Sequence, residues 1–318
     1  MARKLKSRDS ESAVVTIAAI RKPKAGVTQY LFNERHQIFT MPAATAKRAS
    51  IAKLMKAAVR ENNPVRVGLD PARGVIQYIE TPTPEEIEAF NRTRILSDIR
   101  GTTRAIDLAK IDPMVFNVVD LHLKSPIFKL CKRTIPNYKK AKKIFDFCAR
   151  QTCSLGGPFD ISPCIPFQYV IDGCYARAHK MRKIITTKYR YCCDKVFSFA
   201  NQGNDTLAVK ADKWGGCCVQ WWYHVAPLVR VQFKLGTIHL TLAMVIDPGM
   251  FDKPVLLSTW LAAQENLNCS AAANVSTYSI QPGSAYAPAN YQGTMFSTDP
   301  NYTLTDGTLT NYMNLVTC

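Results

Sequence analysis

The chain has 318 residues, 47% of them hydrophobic, a formal net charge of +17 and eleven cysteines, enough apolar content for at least one full core and enough length for two domains. No apolar run reaches membrane-spanning length, and the charged start at residues 1–10 has no signal-peptide core, so neither a membrane partner nor a leader is expected within this sequence. The basic residues are spread along the front of the chain with little aromatic interleaving, which reads as a solvated surface and argues against a nucleic-acid partner.

Residues 13–20 (AVVTIAAI) read as a strand, and 29–32 with 37–41 as a hairpin around Asn33, Glu34, Arg35 and His36. On that reading His36 is a turn residue. A helix follows over 45–62, where Ile51, Leu54, Met55, Ala58 and Val59 fall at helical spacing. Then come a strand over 75–80 and a second helix with Thr83 as N-cap, Pro84 at its first position and Glu85 and Glu86 in its first turn. This front part is a small α+β unit without a catalytic constellation. Residues 99–133 have weak periodicity, Pro113, Pro126 and a basic end at Lys129, Lys132 and Arg133. They read as a linker open to proteases, or as an ordinary interdomain connection. The domain boundary is placed near Lys132-Arg133, giving units 1–133 and 134–318.

Beyond it, Pro136 starts a helix with Tyr138, Ala141, Ile144, Phe145 and Cys148 on one face. No cysteine precedes residue 131, and setting Cys174 aside leaves an even number, as a disulfide framework in an oxidising compartment would. Cys153 and Cys164 bracket a turn and are the predicted pair. A zinc site from Cys192-Cys193 and Cys217-Cys218 is the alternative, but adjacent cysteines splay apart and no CxxC pair is present.

The second unit is organised around Asp172-Gly173-Cys174. Gly173 permits a tight entry, and Cys174 then lands on the first turn of a helix whose Ala178, Met181 and Ile185 face a core. The positive end of that helix favours a thiolate. His179 lies about 140° around the axis from Cys174 and reads as a surface or packing histidine. His224 is the better base. Residues 220–233 and 237–246 read as paired strands, the second ending at Asp247-Pro248-Gly249. A two-residue loop at Leu235-Gly236 makes His224 and Asp247 direct cross-strand neighbours with Cβ atoms about 5 Å apart. Pro227 or a longer loop would shift this register. His239, paired with Gln232 near the turn, sits away from Asp247. Cys174, His224 and Asp247 thus have the types and order of a cysteine triad. Tyr175, Gln220, Trp221 and Trp222 are candidates to line a substrate slot, with core packing as the alternative for each.

The stretch Pro163–Met181, containing DGCYARAHKM, closely resembles the secreted bacterial protein-glutaminases, as do Gly216-Cys217-Cys218-Val219, Trp222-Tyr223-His224-Val225-Ala226 and Ile246-Asp247-Pro248. The resemblance covers about residues 134–270. It implies an α+β, papain/transglutaminase-like cysteine hydrolase domain with Cys174, His224 and Asp247 as its triad, preceded by a small α+β pro-domain. Residues 1–133 correspond by position and length to a pro-region that blocks the site until a protease cuts near Lys132-Arg133. The implied reaction converts exposed glutamine side chains of proteins or peptides to glutamate and ammonia through a thioester. It needs no cofactor and no metal. A secreted monomer is expected. The rival readings are a transglutaminase, which passes the acyl group to an amine, a papain-like protease with Gln168 ahead of the cysteine, and a disulfide-stapled binding domain in which Cys174 is a buried thiol.

Overall fold

The computed structural model describes residues 11–24, 27–42, 45, 49–93, 95–97, 102–105, 131–157, 159–235 and 238–318. The front of the chain forms β1 (Glu11–Val15), β2 (Ile17–Lys24), β3 (Val27–Phe32) and β4 (Arg35–Pro42), where a single strand was expected over 13–20 and a longer turn after 32. The β3–β4 turn is only Asn33-Glu34, so Arg35 and His36 open a strand and are not turn residues. Helix α1 (Ala49–Glu61) buries Met55 and Ala58 and packs on β2 and β6 (Val75–Glu80), in a core shared with β5 (Val65–Asp70). The alternation of buried Val65, Val67 and Leu69 is what makes β5 a strand. Helix α2 (Pro84–Thr93) starts at a reciprocal cap: the Glu86 N–H donates to Thr83 Oγ1 at 3.3 Å, and the Thr83 N–H donates to Glu86 Oε2 at 2.8 Å. Two short strands, β7 (Ile95–Ser97) and β8 (Thr102–Ala105), follow; most of the expected linker lies outside the described residues.

The second unit begins with α3 (Tyr138–Ala149), capped by Asn137, whose side chain accepts from the Lys140 N–H at 2.8 Å. Helix α4 (Cys174–Thr187) runs through the centre, with every residue from Cys174 to Met181 buried. Around it lie β9 (Asp194–Phe199), β10 (Leu207–Lys210), β11 (Cys218–Trp221), β12 (Tyr223–Leu235), β13 (Ile238–Val245), β14 (Val255–Leu256) and α5 (Leu257–Ala262). The chain closes with β15 (Thr277–Gln281), β16 (Ala285–Pro288), β17 (Phe296–Thr298) and α6 (Thr303–Tyr312).

The described strands form three sheets, and each mixes strands of both units. One has the order β1-β5-β6-β4-β11-β10, with β2 and β3 attached beside β4. The second is β14-β13-β12-β9-β15-β8, and the third β16-β17-β7. The N-terminal unit therefore supplies a neighbour to β11, β15 and β17.

Three disulfides staple the second unit, Cys153–Cys164, as expected, with Cys217–Cys318 and Cys218–Cys269, and a fourth, Cys131–Cys192, joins the end of the first unit to it. They consume three of the four cysteines of the zinc alternative. Cys148 and Cys193 remain buried thiols, so the expected even set of bridges is incomplete. Cys131 is tied into this unit further: the Lys132 N–H donates to the Arg190 carbonyl at 2.7 Å, and the Ile135 N–H to the Arg230 carbonyl at 2.8 Å.

Candidate active site

Gly173 enters α4 with φ of 83°, and a Cβ there would stand 2.9 Å from the Tyr312 ring, so only glycine fits without strain. Cys174 becomes the first helical residue, 1% exposed. Asp172, just ahead, is buried and fully engaged: it accepts from Tyr312 Oη at 2.7 Å, Arg35 Nη1 at 2.9 Å and the His36 N–H at 3.2 Å. Arg177 folds back from α4 and donates to the Tyr169 and Asp172 carbonyls, both at 2.6 Å.

His224 and Asp247 meet as expected, but by a different register. The β12–β13 ladder pairs Leu228 with Val245 and Leu235 with Ile238, so each partner is displaced by two from the expected pairing. A shift of two keeps every side chain on its own face. The ladder ends near Pro227, which lacks an N–H, and Asp247 lies in the loop just beyond β13, where His224 Nε2 donates to its Oδ2 at 2.9 Å. His239 instead pairs with Lys234 beside the turn.

The imidazole is clamped. Trp221 stacks on one side with ring centroids 4.6 Å apart, and Trp260 on the other at 5.4 Å. Trp260 Nε1 also donates to Asp247 Oδ2 at 2.9 Å, and Trp221 Nε1 donates to the Val170 carbonyl at 3.1 Å. Burial alone would push the Asp247 carboxyl up; the hydrogen bonds from His224 and Trp260 and the Arg177 charge hold it below the usual range. His224 Nδ1 is left buried without a partner, and the Cys174 sulfur lies close to the ring.

That space also holds His36 of the N-terminal unit. One nitrogen of His36, one of His224 and the Cys174 sulfur all lie within 4.8 Å of one another. The His36 ring is fully buried, 5.4 Å from Trp221, 5.8 Å from Tyr223 and 6.4 Å from Tyr175. Its Nδ1 stands 2.7 Å from Asp172 Oδ1. Its backbone carbonyl accepts the Trp222 N–H at 3.0 Å, extending the β4–β11 pairing. Under this cover, burial pushes the Cys174 thiol far above its ordinary range, and burial brings His36 down to about 4 despite Asp172. Near His36 a cavity of about 240 Å³ is lined by Glu11 and Arg35 from one unit and Tyr175, Tyr286 and Tyr312 from the other.

The four slot candidates separate. Trp221 and Tyr175 face the centre. Trp222 is buried away from it, its Nε1 donating to the Arg35 carbonyl at 2.7 Å, because the strand breaks there into β11 and β12. Gln220 is exposed and donates to the Cys269 carbonyl at 3.3 Å. His179 is a packing histidine, contacting Lys195 Nζ at 2.6 Å and the Asp299 carbonyl at 3.1 Å. Gln168 turns to the Met313 carbonyl at 3.1 Å. Sequence reading missed Trp260, Arg177 and His36; Asp172 was legible only as the neighbour of Gly173-Cys174.

A protein family described as Glutaminase matches residues 141–264. The fold is similar to the crystal structure of a pro-protein-glutaminase, with a TM-score of 0.71 at 27% identity over 97% of this chain and 94% of that chain. A mutant of pro-protein-glutaminase gives 0.70 at 28% identity, over 96% and 93% of the two chains. The NMR structure of protein-glutaminase from Chryseobacterium proteolyticum is 34% identical over 58% of this chain and 91% of that chain, with a TM-score of 0.49. No curated protein matches by sequence.

Proposed function

The chain belongs to the protein-glutaminase family, in its pro-form, and we propose that Cys174, His224 and Asp247 carry its reaction once the N-terminal unit is gone. The enzyme deamidates glutamine side chains in proteins. In the proposed chemistry, His224 Nδ1 takes the Cys174 proton and the thiolate attacks the γ-carboxamide carbon. The Cys174 backbone N–H, at the positive end of α4, helps hold the oxyanion. His224 returns the proton to departing ammonia, and water activated by the same imidazole opens the thioester to glutamate. Asp247 fixes the ring so that Nδ1 stays turned to the sulfur.

The observation that carries this reading is the plugged pair. His224 Nδ1 is unpartnered, and the ring of His36 stands against both His224 and the Cys174 sulfur. We place the activating cut ahead of Cys131, since a cut at Lys132-Arg133 alone leaves the N-terminal unit bonded through Cys131 to Cys192. The four disulfides support a secreted enzyme, and no described helix is long and apolar enough to cross a membrane.

The test is ammonia release from a glutamine-rich protein, before and after limited proteolysis, with a Cys174→Ala control and with added primary amine. Ammonia only after cleavage, absent in the control, is expected. Activity surviving in Cys174→Ala would sink the triad, and amine incorporation would favour acyl transfer to amines.

A further inference from the structure

We propose that the docked N-terminal unit completes a zinc site, with His36, Cys174 and His224 as its three protein ligands, that locks the pro-form. The inference rests on the same cleft as the reading above, but concerns an inhibitory ion and leaves the reaction itself free of metal. Each histidine has one nitrogen beside a carboxylate: His224 Nε2 donates to Asp247 at 2.9 Å, and His36 Nδ1 stands 2.7 Å from Asp172 Oδ1. A carboxylate behind the imidazole is the usual support of a metal-bound histidine. The remaining nitrogens, His36 Nε2 and His224 Nδ1, are buried without a partner, on rings 0% and 3% exposed. The Cys174 sulfur completes the set: it and one nitrogen of each ring lie within 4.8 Å of one another.

Zinc bonds of about 2.0–2.3 Å place tetrahedral donors roughly 3.5 Å apart, so from at most 4.8 Å the three close by up to about 1.3 Å on binding. A thiolate with two imidazoles selects zinc or its analogues over magnesium and calcium, which prefer oxygen. On binding, the Cys174 S–H bond breaks, a Zn–S bond forms and one proton leaves to solvent, with no change of oxidation state. Water fills the fourth position. The site exists only while both units are docked, because removal of His36 leaves two protein ligands. The ion would thus hold the units together and shield the nucleophile.

The test uses the full chain, stripped with a chelator and titrated with cobalt(II). One equivalent should bind with a near-ultraviolet thiolate-to-cobalt charge-transfer band that zinc abolishes. The band should vanish in Cys174→Ser, and affinity should fall at least about tenfold in His36→Gln. The cleaved domain, freed of the N-terminal unit, is the second comparison, in case His36→Gln loosens the fold; it should lose tight binding too. Absence of the band in the full chain, or equal affinity in Cys174→Ser, His36→Gln or the cleaved domain, overturns the proposal. Ammonia release by the cleaved, chelator-treated enzyme is measured alongside. Its loss would count against the glutaminase site, whereas a missing band with ammonia release intact sinks only the zinc site.

Discussion

His224 is held by Trp221 and Trp260 on its two faces and by Asp247 at Nε2, so the ring has almost no freedom left. Trp260 acts twice, by stacking and by its hydrogen bond to the same carboxylate oxygen. Trp260→Phe keeps a ring and deletes the hydrogen bond to a buried charge, worth about 1.5–3 kcal/mol. We expect kcat/KM of the cleaved enzyme to fall roughly tenfold or more, with KM little changed and the acid limb of the pH–rate profile displaced. An unchanged profile would reduce Trp260 to packing. His179 makes a separate prediction. Burial and then the Lys195 charge push it down to about 2, below the roughly 6.5 of the unfolded chain. The unfolded state therefore binds the extra proton between those values. Stability from this group is complete above pH 6.5 and declines as pH falls toward 2, by about 2–3 kcal/mol at pH 4.5. Urea unfolding at pH 7 and 4.5 should show His179→Gln losing that share of the acid slope; parallel slopes for variant and parent would rule it out.

At the scale of elements, β4 brings the plug. Its Arg35 is paired to Asp172 and to Glu11, and each partner is largely buried. Breaking a buried pair costs about 3–5 kcal/mol. Arg35→Ala should therefore loosen the docked unit, giving measurable ammonia release from uncut chain while the cleaved enzyme stays as active as its parent. A variant as silent as the parent before cleavage would show that the plug does not depend on this pair. None of this could be read from the sequence, because His36 acquires its role only by docking against residues more than a hundred positions away. The nearby signals were readable where the chemistry is local: Gly173 before Cys174, the Thr83 cap, the Cys153–Cys164 turn. The His224–Asp247 contact was legible despite a wrong register, since a slip of two residues preserves the face. Trp260 carried no signal, as nothing in a short helix after β14 marks one tryptophan as a carboxylate's partner.

For the whole molecule, the two units share three sheets and are joined at Cys131–Cys192. A chain cut only at Lys132-Arg133 should run as one band without reductant and two with it, whereas a cut ahead of Cys131 gives two bands in both. One band in every lane would mean that the cut did not occur. The shared sheets have a further meaning for assembly. The strands that flank β11, β15 and β17 are also made first on the ribosome, so they are present as a template before the catalytic unit emerges. Without them, β11, β15 and β17 each lose a partner and offer backbone groups to any other chain. Cleaved domain unfolded in urea with its disulfides intact should refold more slowly and aggregate more than the full chain, and added N-terminal fragment should restore it. Equal recovery without the fragment would refute this. If it holds, the segment discarded at activation is the mould in which the enzyme is cast, and the finished enzyme persists because it unfolds slowly once the mould is gone.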